Sequence, residues 1–194
     1  MIATTIFSII LIVITFGVTS FTNDYYKGLN SSSTQNAVGT ISTAVTQAIE
    51  FGESSPVAIS GTSAAWCIGN QAFIYNLGSL VVSSGSSVGL AQASVSGCGG
   101  TVSTTGSHEM LQANMRVVTF DISQLPDKSW SLHIKVAHGE NDLLCWDYSS
   151  CTSSVTATDH QLVANAATLH CRSSSGSRFC AVSELSTTVQ RRLE

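Results

Sequence analysis

Hydrophobic and polar positions along this chain fall into three regimes. From Met1 to Phe21 no residue is charged, and Ile2, Ile6, Phe7, Ile9, Ile10, Leu11, Ile12, Val13, Ile14, Phe16 and Val18 cover every face of a helix. At about 1.5 Å per residue such a run reaches ~30 Å, the thickness of a bilayer's hydrocarbon core. The interspersed Thr4, Thr5, Ser8, Thr15 and Thr19 are compatible with lipid, because each hydroxyl can bond the carbonyl one turn back. Asp24, Tyr25, Tyr26 and Lys27 then form the aromatic and charged boundary expected at headgroup level. A cleaved secretory signal is the rival reading. Val18-Thr19-Ser20 would serve as its cleavage site, but no Lys or Arg precedes Lys27.

The second regime, residues 22–52, predicts a polar break followed by an amphipathic helix. Gly28 within Lys27–Ser33 weakens a continuous helix, and Ser32 with Gln35 fits a capping box. Val38, Ile41, Val45, Ala48 and Ile49 recur at helical spacing and require a sheet to pack against. Gly52 and Pro56 end the segment.

Residues 53–194 form the third regime, short strand-like runs between Ser- and Gly-rich loops. Ala64–Ile68, Gln71–Leu77 and Leu80–Val82 are candidate strands, and Ser83–Gly89 and Ser94–Gly106 are candidate loops. Met115–Ile122 and Ser129–Ala137 flank Leu125-Pro126-Asp127-Lys128 as a hairpin. In its second arm Trp130, Leu132, Ile134 and Val136 alternate with Ser131, His133, Lys135 and Ala137, the signature of a half-buried antiparallel strand. Asp142–Tyr148 and Arg178–Leu185 are further candidate strands, and Leu185, Val189 and Leu193 are spaced for a short terminal helix. The fold class expected is α+β: a long hydrophobic helix leading into an amphipathic one on an antiparallel sheet.

Composition places this head outside the cytoplasm. Charged residues are 10% of the 194, against ~25% in ordinary soluble proteins, and Ser, Thr and Gly take their place. A net charge of −4 gives no basic footprint for nucleic acid, and no such partner is expected. Six cysteines, Cys67, Cys98, Cys145, Cys151, Cys171 and Cys180, all follow the apolar segment, as in a disulfide-bearing domain of an oxidising compartment. Fifteen pairings are possible; the sequential one is favoured because each bridge closes a local loop. Zinc is the rival use of these cysteines, but their spacing is loose for a structural knuckle.

The chain offers little catalytic chemistry. His108-Glu109 opens like a zinc-protease helix, yet Gln112 stands where the second histidine belongs. His133, His138, His160 and His170 are dispersed; Gly139-Glu140-Asn141-Asp142 lacks the oxygen pattern of a calcium loop; and no serine sits in a nucleophile elbow. No catalytic residue, metal ligand or cofactor is therefore assigned, and the chain is not expected to be an enzyme.

An apolar N-terminal helix, a boundary, an amphipathic helix and a cysteine-bearing antiparallel head together resemble the type IV pilin family, most closely a minor pilin or pseudopilin. The resemblance covers Met1 to about Phe51 in layout and the remainder in class. It implies that Ile2, Ile6, Ile10, Val13 and Phe16 belong to an assembly helix, held in the inner membrane before assembly and packed against other pilin subunits afterwards. Cys171–Cys180 resembles the C-terminal disulfide-bounded loop of many pilins. Two features depart from the family pattern: no short basic leader ending in Gly is seen before Met1, as expected where a leader has been trimmed, and, if Met1 is the mature first residue, Thr5 stands where an acidic residue is usual at the fifth mature position. An occasional or tip subunit fits that substitution better than the repeating one. Small residues (Ala3, Ser8, Gly17, Ser20) would permit close helix approach. The implied role is structural, in a cell-surface filament or secretion machine, with surface loops that could meet a ligand. A secreted or membrane-anchored recognition module without catalysis is the alternative.

Overall fold

A computed structural model describes residues 2–59, 64–83, 87–99, 102, 106–152, 156–173 and 177–192, with side chains from Thr5 onward. Its first element, α1, is one unbroken helix, Ile2–Phe51, about 75 Å long at the standard rise. The break expected around Gly28 does not occur, and Ser32 lies inside the helix instead of capping a new one. A Gly costs a helix only about 1 kcal/mol, and tertiary contacts on either side outweigh that. Thr34 Oγ1 donates to the Asn30 carbonyl at 2.7 Å, and Asn30 Nδ2 donates to the Arg178 carbonyl at 2.8 Å.

Among the described residues twelve further helices and strands follow, leaving aside short 3-10 turns. β1 (Val57–Ile59), β2 (Ala64–Ile68), β3 (Gln71–Tyr75), β4 (Leu90–Ser94) and β5 (His108–Glu109) form one antiparallel sheet in sequential order. β6 (Met115–Gln124) and β7 (Trp130–His138) form the expected hairpin. β8 (Leu144–Cys145), α2 (Tyr148–Thr152), α3 (Asp159–Ala164) and β9 (His170–Cys171) come next, and β10 (Ala181–Val189) pairs with β7. The second sheet is thus ordered β10-β7-β6, while β8 and β9 make a two-stranded ladder.

The amphipathic half of α1 inserts between the sheets. Val38, Ile41, Val45, Ala48 and Ile49 are buried together with Phe73 and Leu90 of the first sheet and Leu132, Ile134, Val136 and Val189 of the second. Each such aliphatic side chain contributes roughly 1.5–3 kcal/mol on full burial. The β7 alternation is present with two exceptions. Lys135 and Ala137 are also buried, because the other face of the sheet is covered by a second cluster containing Val118, Leu144, Ala157, Leu162 and Leu169. Lys135 Nζ leaves that cluster to reach the Ala167 carbonyl at 3.1 Å and Glu184 Oε2 at 3.0 Å. β6 serves both cores through a bulge between Val117 and Thr119. Met115 and Val117 face the main core, Val118 faces the second, and Phe120 and Ile122 resume the main core one position out of phase.

Other expectations are corrected. Leu80–Val82 is no strand, whereas Leu90–Ser94, left between the two candidate loops except for Ser94 at the start of the second, is one. Within Asp142–Tyr148 only Leu144–Cys145 is strand; Asn141–Leu143 is a 3-10 turn. The terminal helix is replaced by β10, which runs to Val189 because β7 offers an unpaired edge along its whole length; Leu193 lies outside the described residues. Half-burial against a sheet edge overrides four-residue spacing. The three disulfides are Cys67–Cys98, Cys145–Cys151 and Cys171–Cys180, the sequential set.

Candidate functional site

The chain's most unusual surface is the projecting half of α1. Described residues from Thr5 to Phe21 are all exposed, Val13 at 65% and Phe16 at 73%, with Ile6 and Ile10 at half or more. Ile2 opens the helix, its side chain outside the described set. Ile6, Ile10, Val13 and Phe16 recur at four- and three-residue spacing along one face of α1, and other apolar groups cover its remaining faces. The most apolar 18-residue window within Thr5–Phe51 has a mean hydropathy of 2.1 and no buried residue. This helix is long and apolar enough to cross a membrane.

Its polar side chains are prepared for a medium without water. Thr15 Oγ1 donates to the Leu11 carbonyl at 2.7 Å, Thr19 Oγ1 to Thr15 at 2.8 Å, and Thr22 Oγ1 to Val18 at 2.8 Å. Each hydroxyl is satisfied one turn back, which removes the main cost of carrying it into hydrocarbon.

The boundary is built from both the helix and the head. Phe21 and Tyr25 stack with centroids 6.4 Å apart, Tyr25 meets Tyr26 at 6.1 Å, and Tyr26 meets Phe179 at 6.1 Å. Phe179 lies within the loop closed by Cys171–Cys180. Arg178 stacks over Phe179 at 4.7 Å, donates to the Asn23 side-chain oxygen, and accepts from Asn30 through its carbonyl. The disulfide loop therefore grips α1 over two turns where the apolar segment gives way to polar sequence. Asn23, Asn30, Arg178 and Phe179 were not foreseen as a set, because a contact spanning some 150 residues leaves no periodic trace. Only the closing cysteines marked the loop as significant.

Several residues singled out in the search for chemistry have structural partners. Glu109 lies on a strand, and its carboxylate accepts from the backbone N–H groups of Gly89 (2.9 Å), Leu90 (3.0 Å) and Leu111 (3.1 Å). The turn at Gly139-Glu140-Asn141-Asp142, read as lacking a calcium pattern, serves a buried guanidinium. Arg116, fully buried, donates to Asp159 Oδ1 at 3.0 Å, to Asn141 Oδ1 and to the Gly139 carbonyl at 3.0 Å. Burial pushes its pKa down, while the Asp159 and Glu140 carboxylates push it back up. His133 pairs with Glu184 at 2.8 Å, and His138 Nδ1 lies 3.1 Å from the Phe179 carbonyl.

No family model, curated protein or solved structure matches this chain. Its functional reading therefore rests on the geometry of α1 and the head.

Proposed function

We propose that this chain is a structural subunit, a minor pilin or pseudopilin, of a type IV pilus-like filament or secretion machine. One observation carries the reading: a single rigid helix is fixed into the head by one half and presents the other half apolar on all sides. A simple anchor needs no such continuity. A subunit that must be drawn from the bilayer and seated among its own kind does, since force and orientation pass between head and buried segment only through an unbroken helix.

In this reading the projecting half exchanges one apolar medium for another. Lipid contacts are replaced by contacts with neighbouring helices, at close approach where Ser8, Gly17 and Ser20 leave room. The grip of Arg178 and Phe179 keeps α1 at a fixed angle to the head during transfer. The disulfide-bonded head stays outside the cell, where its Ser-, Thr- and Gly-rich loops could meet a surface ligand. Catalysis has no part in it.

Ile10→Asp tests the reading. A carboxylate near the middle of the apolar half costs about 2.5–3.5 kcal/mol on the insertion scale and has no partner in a helix bundle without charge. The variant should keep a folded head, judged by thermal melting, and be missing from sheared surface filaments that contain the wild type. Incorporation at the wild-type level would contradict the proposal.

A further inference from the structure

Beside β8 and β9 lies a corner that the assembly reading does not use. The ladder pairs Leu144 with Cys171 and Cys145 with His170, and α2 turns back so that Cys151 meets Cys145. The Sγ atoms of Cys145 and Cys151 and a ring nitrogen of His170 lie within 4.8 Å of one another. His170 Nε2 is 3.2 Å from Cys151 Sγ, and His170 Nδ1 is 2.7 Å from the Thr168 carbonyl oxygen. A carbonyl only accepts, so in the neutral ring Nδ1 carries the proton and Nε2 turns its lone pair toward the sulfur.

That lone pair is aimed at an atom that cannot answer it while the disulfide is closed, because Cys151 then has no S–H to donate. Fixing one ring nitrogen on a backbone carbonyl so that the other faces a ligand is how proteins orient metal-binding histidines. The burial grades in the same sense: Cys145 is buried, Cys151 half-buried and His170 exposed, closing the corner on the protein side and opening it to solvent. Tetrahedral zinc, with bonds of about 2.3 Å to sulfur and 2.0 Å to nitrogen, holds those atoms roughly 3.6 Å apart. The existing N···S distance needs little change, the two sulfurs must part to roughly 3.8 Å once their bond is broken, and α2, which buries none of its residues, carries Cys151.

We propose that the dithiol form of this corner binds a thiophilic divalent cation, zinc above all, through Cys145, Cys151 and His170, and that the disulfide is the closed state of the same site. An external dithiol supplies two electrons and two protons, which break the Cys145–Cys151 bond, and is itself oxidised to a disulfide. Zinc then displaces both thiol protons to solvent, forming two Zn–S bonds and one Zn–N bond, with water in the fourth position. A disulfide oxidant reverses the sequence: the thiolates give up two electrons, the sulfur–sulfur bond re-forms, and the ion is released.

The test uses the full chain in detergent, reduced with a phosphine, freed of reductant and titrated anaerobically with cobalt(II) as a spectroscopic probe. The reduced protein should take up a single equivalent and show thiolate-to-cobalt charge transfer with the intense visible bands of a tetrahedral ion; the oxidised protein should show neither. His170→Ala changes an exposed residue and should weaken uptake about tenfold or more. The double variant Cys145→Ser/Cys151→Ser retains the other four thiols after reduction and should lose the charge-transfer band. Absence of that band in the reduced wild type, equal uptake by the double variant, or unchanged affinity in His170→Ala would each overturn the proposal.

Discussion

Arg116 shows how a single residue is held where its chemistry is least at home. It sits in β6 between two cores with no solvent exposure, and its cluster of acceptors joins β6 to the Gly139 turn and to the start of α3. Truncation would leave a cavity and several unpaired acceptors, so Arg116→Ala should destabilise the protein by about 3–5 kcal/mol in denaturant melts. Asp159→Asn should cost much less, since the Asp159 side chain is 55% exposed and screened by water. Glu184 gives a pH-dependent counterpart. Hydrogen bonds from His133 and Lys135 hold its carboxylate below the ordinary glutamate range. A depressed folded-state pKa contributes stability that is present above the unfolded value and lost as pH falls through the folded one. Melting temperatures of wild type and Glu184→Gln should therefore differ at neutral pH and converge in acid, below the ordinary glutamate pKa. Gly28 has no such constraint: a Cβ built there meets nothing within 4 Å, and Gly28→Ala should raise stability by about 0.5–1 kcal/mol.

At the scale of elements the helix and the disulfide loop have to be considered together. α1 was legible in the sequence at both ends, apolar all round before Phe21 and striped from Val38 to Ile49. Its continuity was not, because the residues that hold the middle straight come from Arg178 and Phe179, far along the chain. β7 was legible because alternation is a local signal, whereas β10 was misread at its end because pairing with β7 is not. Arg116 looked like an ordinary strand residue, its partners Asn141 and Asp159 lying in a 3-10 turn and at the start of α3, with no period to follow. The loop closed by Cys171–Cys180, nine residues apart, is worth roughly 2.5–3 kcal/mol by chain entropy. Cys171→Ser/Cys180→Ser should reduce stability by about that amount. It should also speed amide exchange in residues 22–31 more than in residues 37–49, which the main core holds independently.

For the whole molecule, the decisive feature is the division of labour along one helix: one half completes the core of an antiparallel, disulfide-bonded head, and the other carries an apolar surface that the head does not cover. Such a surface has to find lipid or other helices. Gly17→Leu separates this demand from folding, since a Cβ at Gly17 meets nothing within 4 Å in the single chain. It should not lower the melting temperature, and it should lower the amount of subunit recovered in filaments where helices approach closely. The most direct test of the assembly reading is mass spectrometry of the native protein, recovered in parallel from sheared surface filaments, membranes and medium. The account predicts peptides of the apolar segment in the sheared-filament and membrane fractions, with an N-methylated amino terminus. A chain found only in the medium and beginning near Phe21 would contradict it.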